Sequence, residues 1–396
     1  MKIAIIWKND YPWDVRVEKI GTTLLAMGHE VHIIARNLRR ERTVEGVGGM
    51  HVHRLNTWQS SVLNSMVSIP SIGNPLWLTK IHKVCVQHQI DLILVRDLPL
   101  LVNGVIVGKM LRIPVIFDMA EVYSAMWSDL NRARGFSLST FLLKNPTIGK
   151  LLEKYAIRRA DHTFVVVEEA KQYLMDLGIA NEKISIVSNT PDLTALAWTE
   201  NGETVDKWPD KLILLYHGYI NEGRGLEAVV RAIPELRRRF DNVLLVLIGA
   251  GDGLERFREL ARRLNVTQHV VFMGWRKLEE IPTFIKAATI CIVPHLATAH
   301  KDTTVPNKLF DYMACGKPVV VSDAKPLRRI VEEERCGLFF RSGDIDSFVE
   351  AVTRVARDAS LAHQFGANGS AAVRARYNWA NDSGVLKRVI KQYGAR

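Results

Sequence analysis

Short runs of apolar, often β-branched residues alternate with longer segments of helical periodicity along most of the chain. Polar or turn-forming residues bound each run, as is typical of strands buried inside a sheet. Strands that alternate with helices build parallel sheets from βαβ units, so the predicted fold class is α/β. The predicted strands are Ile3–Trp7, Glu30–Ala35, Leu92–Val95, Val115–Phe117, Thr163–Val167, Ile184–Val187, Leu212–Tyr216, Val243–Ile248, Val270–Phe272, Ile290–Val293 and Val319–Val321.

The alternation is interrupted across residues 189–210, where Pro191, Gly202 and Pro209 lie among polar residues, as in a linker. The chain of 396 residues is also longer than the ~250–300 residues at which a single core usually stops growing. We therefore predict two doubly wound, Rossmann-like domains, over residues 1–195 and 205–375, that face each other across a ligand-binding cleft. Residues 376–396 are predicted to form a helix that packs on the second domain or crosses back to the first.

The segment of residues 57–80 departs from this pattern because it combines many large apolar residues with Pro70, Gly73 and Pro75. Two interpretations remain open: an ordinary helix with a packed loop, or an exposed apolar flap that touches an acceptor or a lipid surface. The longest apolar stretch, residues 98–108, is shorter than the ~18 residues that suggest a membrane span. Any membrane contact is therefore expected to be peripheral.

The formal net charge is +11, and the sequence pI is near 9.5, which favours anionic partners such as nucleotides and lipid headgroups. Nucleic acid is not expected, because no helix-turn-helix, zinc-finger or RNP-like stretch accompanies the charge. The four cysteines are far apart and form no CxxC pair, so neither disulfides nor a zinc site is predicted, and a reducing cytoplasm is the expected location. The first residues are predicted to form a strand, and no signal peptide is expected from them.

Several familiar motifs are absent or incomplete. Residues 249–253 read GAGDG between a strand and a helix, but the next strand ends in Met273-Gly274 without the carboxylate that a dinucleotide site needs. No Walker A, HExxH or GxSxG motif occurs. Among the twelve histidines, only His51 and His53 form an HxH pair, and no third ligand is evident. No metal site or cofactor is therefore predicted.

The segment from Gly218 to Gly225 carries more information. Glycines lie on both sides of Arg224, between a strand and the start of a helix. Backbone N–H groups approach a ligand closely at glycines, and a helix N-terminus favours negative charge. Arg224 is therefore a candidate ligand for a diphosphate, while a helix entry with a solvated arginine is an equal alternative.

A second informative segment covers residues 305–320. Its helix is predicted to begin near Pro306 and to end before Gly316, which places Lys308 and Asp311 on one face at i and i+3. A surface ion pair is the simpler interpretation of this spacing.

Taken together, the segments at residues 218–225 and 311–320 resemble those of family-4 retaining glycosyltransferases of the GT-B architecture (glycosyl transferases group 1). The resemblance implies that Arg224 takes the place of a diphosphate-binding lysine and that Asp311 binds the ribose hydroxyls. Family members often have an arginine directly after the first glycine of this loop, whereas here Tyr219 follows Gly218; both residues stay candidate contacts to the donor nucleotide or diphosphate. Lys308 is the candidate substitute for this diphosphate contact.

Further departures from the family pattern concern the donor sugar. Where the family has the first glutamate of a pair, this chain has Thr303, with Asp302 beside it. Asp302, Thr303 and Thr304 are therefore the candidate donor-sugar contacts.

In the N-terminal half, residues 118–121 resemble a D-x-H-E sequence in which the histidine has become Ala120. Asp118 and Glu121 follow a strand, where ligands bind in such folds, and capping of the next helix is the alternative role. Arg16 belongs to a D-x-R sequence that some of these enzymes share, and a salt bridge with Asp14 or Glu18 is the alternative. Arg16, Asp118 and Glu121 are the candidate acceptor or cleft residues.

The resemblance implies one functional hypothesis: a sugar is transferred from a nucleotide-diphosphate donor to a glycan or lipid-linked acceptor, with retention and without a metal. Arg224, Lys308 and Glu121 are the candidate catalytic residues, and the cations neutralise the leaving diphosphate. Two alternatives remain open: a sugar-nucleotide epimerase or hydrolase of the same architecture, and a degenerate protein that binds nucleotide or polysaccharide without turnover.

Overall fold

The computed structural model describes residues 1–12, 14–134, 146–194 and 208–394. Residue contacts divide the chain into two compact units, Met1–Ser188 together with Asp382–Arg396, and Asn189–Asn381. Each unit is built around one largely parallel sheet, which confirms the predicted α/β class. The linker predicted between the domains falls mostly on residues 195–207, which lie outside the described residues.

The first unit contains an eight-stranded sheet with the strand order β3-β4-β2-β1-β5-β6-β7-β8. All neighbouring strands run parallel except β3, which pairs antiparallel with β4 at one edge. The strands are Lys2–Ile6 (β1), Glu30–Ala35 (β2), Val44–Val47 (β3), Met50–Arg54 (β4), Leu92–Arg96 (β5), Val115–Met119 (β6), His162–Val165 (β7) and Ile184–Ile186 (β8).

Helices cover the first sheet, and most begin soon after a strand ends. Asp14 caps the first of them by accepting a hydrogen bond from the backbone N–H of Val17 at 2.8 Å. Within the described residues, the helices of this unit are Val15–Ala26 (α1), Ser61–Val67 (α2), Pro75–His88 (α3), Leu101–Leu111 (α4), Tyr123–Arg134 (α5), Pro146–Ile157 (α6) and Glu168–Asp176 (α7).

The second unit contains a six-stranded, wholly parallel sheet with the order β11-β10-β9-β12-β13-β14. Its central strands are apolar without alternation because helices cover both faces. The strands are Leu212–His217 (β9), Val243–Ile248 (β10), Val270–Gly274 (β11), Ile290–Val293 (β12), Val319–Ser322 (β13) and Gly337–Phe340 (β14).

The helices of the second unit bury one apolar face each. In the first of them Leu226, Val229, Ile233 and Leu236 are buried at helical spacing, and arginines fill its last turn. The helices are Leu226–Arg239 (α8), Leu254–Arg263 (α9), Ile281–Ala287 (α10), Asn307–Ala314 (α11), Lys325–Glu334 (α12), Ile345–Arg357 (α13), Ala359–Ala375 (α14) and Trp379–Gly394 (α15). Helix α15 begins in the second unit, and its residues from Asp382 onward belong to the first.

All eleven predicted strands are present, with ends displaced by at most two residues; residues 51–53, whose histidines alternate as on a strand, lie in β4, whereas β3 and β14 were not predicted. β3 and β14 are four residues long and contain a glycine, so the apolar signal in each is weak.

The segment of residues 57–80 combines features of both interpretations. Helix α3 is an ordinary packed helix whose Trp77 is fully buried. Helix α2 exposes Val62, Leu63 and Met66, with Met66 63% accessible to solvent.

Candidate functional site

In the second unit, β9, β10 and β12 are neighbours in the parallel sheet, so the residues that follow them meet at its carboxyl edge. β9 ends at His217, β10 ends before Gly249, and β12 ends before Pro294 and His295. The N-terminal turn of α11, which carries Lys308, approaches the same edge: Lys308 Nζ lies 3.8 Å from the centre of the Tyr216 ring.

Two glycines allow neighbouring segments of the chain to approach each other closely at this edge. Gly218 has φ +124°, and a Cβ built there would lie 2.7 Å from Lys308 Nζ. Gly225 has φ +69°, and a Cβ there would lie 1.8 Å from the Pro294 carbonyl oxygen. Both φ values are disfavoured for residues with a side chain, and the second contact is with rigid backbone. These positions hold the loop of residues 218–225 against the segment after β12.

Lys308 is the most unusual charge of this edge, because only 8% of its surface is exposed. Burial lowers the pKa of its ammonium group well below the usual value, and the charges of Arg224 and Lys301 lower it further, while Asp311 acts in the opposite sense. The surroundings of Lys308 are therefore electropositive enough to disfavour its own charge.

Two histidines accompany these cations. Arg224 Nη1 lies 3.3 Å from Nε2 of His295, whose surface is only 1% exposed. Burial lowers the pKa of His295 well below its usual value, with further lowering by Lys308 and Arg224. Burial, aided by Lys308, also lowers the pKa of His217 to about 3. Both imidazoles are thus neutral near pH 7, and His217 Nδ1 has no hydrogen bond among the described residues.

Asp311 lies on α11 one turn after Lys308, and its Oδ2 is 3.5 Å from His217 Nε2. The edge therefore brings together Arg224, Lys308, Asp311 and the histidines 217 and 295. When Lys308 is protonated, the set holds two cations, two neutral imidazoles and one carboxylate, and therefore a net positive charge. Such a set favours an anionic ligand.

The predicted donor-sugar residues lie in and after the short 3₁₀ turn Lys301–Thr303. The Asp302 carboxylate accepts a hydrogen bond from the backbone N–H of Lys325 at 3.0 Å and lies 3.6 Å from Lys325 Nζ. The Thr303 hydroxyl donates to the His300 carbonyl at 2.9 Å. Thr304 follows directly and is partly exposed. Asp302 thus helps to hold the start of α12.

Tyr219, which replaces the arginine expected after Gly218, is 52% exposed. Its carbonyl accepts a hydrogen bond from the Tyr216 hydroxyl at 2.8 Å. The backbone of Tyr219, rather than its ring, therefore contributes to the geometry of this edge.

At the carboxyl edge of the first sheet, Arg16 and Asp118 form a buried bidentate ion pair. Arg16 Nη2 donates to Asp118 Oδ1 at 2.6 Å, and Arg16 Nε donates to Asp118 Oδ2 at 2.8 Å. The same guanidinium donates to the carbonyls of Val187 and Ser188 at 2.9 and 3.0 Å. This network ties α1 and β6 to the chain after β8.

A second arginine adjoins this pair. Arg96 Nε lies 3.5 Å from Asp118 Oδ2, and Arg96 Nη1 lies 3.0 Å from Asp97 Oδ1. Burial would raise the pKa of Asp118, but the guanidinium groups of Arg16 and Arg96 outweigh burial and keep the pKa below its usual value. Asp118 is fully buried, whereas Glu121, two residues beyond β6, is partly exposed.

Sequence reasoning did not single out His217 and His295. The only signal available was that each lies at or just after the carboxyl end of a predicted strand, which is where ligands bind in such sheets. Neither histidine belongs to a recognisable motif. Their burial beside two cations depends on the packing of α11, which the sequence pattern alone does not reveal.

Two family models match the chain. The model for glycosyl transferases group 1 matches residues 200–372, and that for the glycosyl transferase 4-like domain matches residues 14–190. Among the described residues, no helix has both the length and the apolar character that crossing a membrane requires.

The curated relatives share low sequence identity with this chain. An uncharacterised glycosyltransferase of Methanocaldococcus jannaschii is 21% identical over 62% of this chain and 61% of its own length. The GDP-mannose-dependent alpha-(1-6)-phosphatidylinositol monomannoside mannosyltransferase of Mycobacterium tuberculosis is 30% identical over 39% of this chain and 41% of its own length. The matches thus span about half the length of these relatives.

Solved structures match the whole chain. The sucrose-phosphate synthase of Thermosynechococcus elongatus has a TM-score of 0.77 at 20% identity and covers 100% of this chain and 99% of its own. Anabaena HepE in complex with UDP has a TM-score of 0.75 at 15% identity, with 99% and 100% covered. These structural likenesses show that the chain has the GT-B fold. The two family matches show that it belongs to the group 1 glycosyltransferases.

Proposed function

We propose that this glycosyltransferase takes its sugar from a nucleotide-diphosphate donor whose diphosphate binds at the carboxyl edge of the second sheet. One observation carries the proposal: Lys308 is buried beside Arg224 and two neutral histidines, so that when Lys308 is protonated Asp311 balances only one of two positive charges. Burying a cation without a partner is costly, and a diphosphate would remove that cost by pairing with both cations.

The same charges suit the departure of the diphosphate. When the bond between the anomeric carbon of the sugar and the diphosphate oxygen breaks, negative charge builds on the departing diphosphate. Arg224 and Lys308 would stabilise that charge, a task that a divalent ion performs in other enzymes. We therefore propose a metal-independent reaction that retains the anomeric configuration, as the resemblance to family-4 enzymes implies.

The other candidate residues are assigned by their position. Asp311 lies beside His217 and is proposed to accept hydrogen bonds from the ribose. Asp302, Thr303 and Thr304 stay the candidate contacts to the donor sugar; the Asp302 carboxylate also binds the backbone of Lys325, and the Thr303 hydroxyl also donates to the His300 carbonyl. Glu121 is the partly exposed carboxylate near the edge of the first sheet and stays a candidate for the acceptor side.

The acceptor is proposed to be a glycan or a lipid-linked glycan reached at a membrane surface. Helix α2 supports this because its polarity is inverted: Asn64 is buried and donates to the Asn37 carbonyl at 3.0 Å, while Val62 and Met66 face solvent. The exposed arginines 39, 40 and 42 lie in the loop between β2 and β3, whose Asn37 carbonyl accepts the hydrogen bond from Asn64. Apolar side chains next to arginines suit an anionic lipid surface. The relative that acts on phosphatidylinositol monomannoside agrees with this class of acceptor.

The test of the donor site is calorimetric titration with UDP, GDP, ADP and dTDP in the presence of EDTA. One diphosphate should bind, and Arg224→Ala should weaken it by about 10- to 100-fold, the loss expected for a charge-assisted hydrogen bond. Arg231→Ala is the matched control, because Arg231 is an exposed arginine on α8 whose guanidinium pairs with Glu227 at 2.9 Å. If no diphosphate binds, or if both variants behave alike, the donor-site assignment is wrong.

Turnover is tested with the sugar nucleotide whose base binds. Transfer predicts that release of the diphosphate requires an acceptor and that NMR finds the donor's anomeric configuration in the product. Diphosphate release without any acceptor would favour a hydrolase, and binding without release would favour a degenerate binding protein.

A further inference from the structure

Four histidines gather on the first sheet, away from the edge described above. His32 lies on β2, His51 and His53 lie on β4, and His88 is the last residue of α3. In the register of the sheet, His32 pairs with Ala4, Ala4 pairs with Ile93, and Ile93 pairs with Val115. Paired residues share a face of the sheet, and side chains alternate along a strand. Asp118, three residues after Val115, therefore lies on the opposite face from His32.

The histidine nitrogens are close enough to share one ion. His32 Nδ1 lies 3.0 Å from His53 Nε2. One nitrogen from each of His32, His53 and His88 can be chosen so that all three lie within 4.8 Å of one another. Nitrogens bound to one tetrahedral zinc ion at ~2.0–2.1 Å lie about 3.3 Å apart, so only small side-chain movements separate this arrangement from a coordination site.

Glu30 fixes the orientation of the central imidazole. Its Oε1 lies 2.9 Å from His32 Nε2. A carboxylate accepts a hydrogen bond there from the Nε2 proton, which leaves the lone pair of Nδ1 directed towards His53. Metal-binding histidines are commonly held in this way by a carboxylate on the other ring nitrogen.

The two buried imidazoles are also neutral, the form that binds metal. Burial lowers the pKa of His53 to about 4, and His88, His32 and Lys80 contribute to the lowering. Burial lowers the pKa of His32 as well, although Glu30 opposes this. Lys80 is the neighbouring charge that opposes a bound cation, and burial lowers its own pKa.

We propose that His32, His53 and His88 bind one Zn²⁺-like transition-metal ion, with Glu30 orienting His32 and water completing the coordination. Imidazole nitrogens select zinc, nickel or copper over magnesium or calcium. His51 is a neighbour rather than a ligand: it stacks on His32 at 5.0 Å, and its side chain is 55% exposed. Because the ion would bridge two strands and a helix, it would stabilise the first unit and take no part in sugar transfer.

The experiment is titration of the metal-free protein with Zn²⁺ against a chromophoric chelator, together with Co²⁺ absorption spectra. One equivalent should bind, with the intense visible bands of tetrahedral cobalt, and should raise the melting temperature. His88→Ala should weaken binding by at least 100-fold, and Glu30→Gln by about 10- to 100-fold. His82→Ala is the matched control, because His82 is also a partly exposed histidine on α3 but lies outside the cluster.

The proposal fails if no stoichiometric ion binds, or if cobalt gives only weak octahedral bands. It also fails if His82→Ala lowers the affinity as much as His88→Ala, because binding would then reflect scattered surface histidines. His53→Gln provides a second ligand variant, and its fold is checked by circular dichroism before titration. Nucleoside diphosphate binding should be unchanged in His88→Ala, so failure here leaves the donor site unaffected.

Discussion

The ammonium group of Lys308 lies 3.8 Å from the centre of the Tyr216 ring and almost out of reach of solvent. The face of an aromatic ring attracts a cation, but it does not balance a full charge. The charge of the Lys308 ammonium group is therefore only partly balanced at the edge of the second sheet. Its protonation should respond to any anion that binds there.

Replacing Lys308 tests that response. Because burial lowers the pKa of Lys308, binding of a diphosphate should raise that pKa, and the complex should take up a proton in the pH range where Lys308 of the free protein is partly deprotonated. Lys308→Met should weaken diphosphate binding by about 10- to 100-fold and abolish proton uptake. Titration calorimetry in two buffers of different ionisation enthalpy measures both quantities. Lys308→Arg keeps the charge and is the control; proton-neutral binding by the original chain would contradict the prediction.

The close approach at Gly225 gives a second prediction. Gly225→Ala would place its Cβ 1.8 Å from the Pro294 carbonyl oxygen, so the loop must move and diphosphate binding should be lost. Gly343→Ala is the control, because Gly343 also has positive φ, +77°, but has no atom within 4 Å of its Cβ position. The control should lose only ~1–2 kcal/mol of stability, the cost of a left-handed alanine. Equal thermal shifts and equal affinities for the two variants would argue against a packed loop.

The buried pair of Arg16 and Asp118 predicts strong non-additivity. Asp118→Asn leaves a buried guanidinium without its counter-charge, and loss of one partner typically costs ~3–5 kcal/mol. Arg16→Met combined with Asp118→Leu removes both charges and should cost less than the sum of the two single changes. Urea unfolding followed by circular dichroism measures the free energies. Additive losses would show that the ion pair contributes nothing of its own.

Acid should weaken the first unit through His162. Burial, assisted by Lys183, lowers the pKa of His162 to about 4 from 6.5. The unfolded chain therefore binds more protons between pH 6.5 and 4, and stability is lost as pH falls through that window, by up to about 3 kcal/mol. His162→Gln does not titrate, so its stability should fall less between pH 7 and 4. Parallel pH profiles for both proteins would contradict this assignment.

Helix α2 predicts binding to anionic vesicles. Met66→Glu places a charge on the exposed apolar face, and should reduce sedimentation with vesicles of phosphatidylglycerol and phosphatidylcholine at low salt. Met110→Glu is the matched control, since Met110 on α4 is 65% exposed and Met66 is 63% exposed. High salt should also weaken binding, because it screens the arginines of residues 39–42. Equal behaviour of the two variants, or no sedimentation at all, would remove the lipid surface from the proposed acceptor.

The strands of both sheets could be predicted because buried parallel strands are apolar without interruption, as in residues 243–248. The edge strand at residues 44–47 has a polar and a glycine residue at its centre, so its apolar pattern is too short to recognise. Arg224 and Lys308 were recognisable from their glycines and helix spacing. His295 was not, because its burial against Arg224 depends on side-chain packing.

The histidine cluster shows the same limit. The pair His51 and His53 was visible as an HxH pattern, but a third ligand seemed to be missing from the sequence. Two other elements provide further histidines in the structure. β2 places His32 beside His53, and the end of α3 places His88 beside His53. Ligands that are far apart in sequence meet only because the strand order places β2 next to β4.

Helix α15 starts in one unit and completes the other, and this has a consequence for how the chain is made. Residues 1–188 leave the ribosome first, yet the residues from Asp382 onward that belong with them follow the entire second unit. Leu386, Val389 and Ile390 are buried in the finished protein. Until these residues have been synthesised, the apolar surface of the first unit that they cover is exposed to solvent. This surface is where a chaperone, or a premature encounter with another chain, would act first.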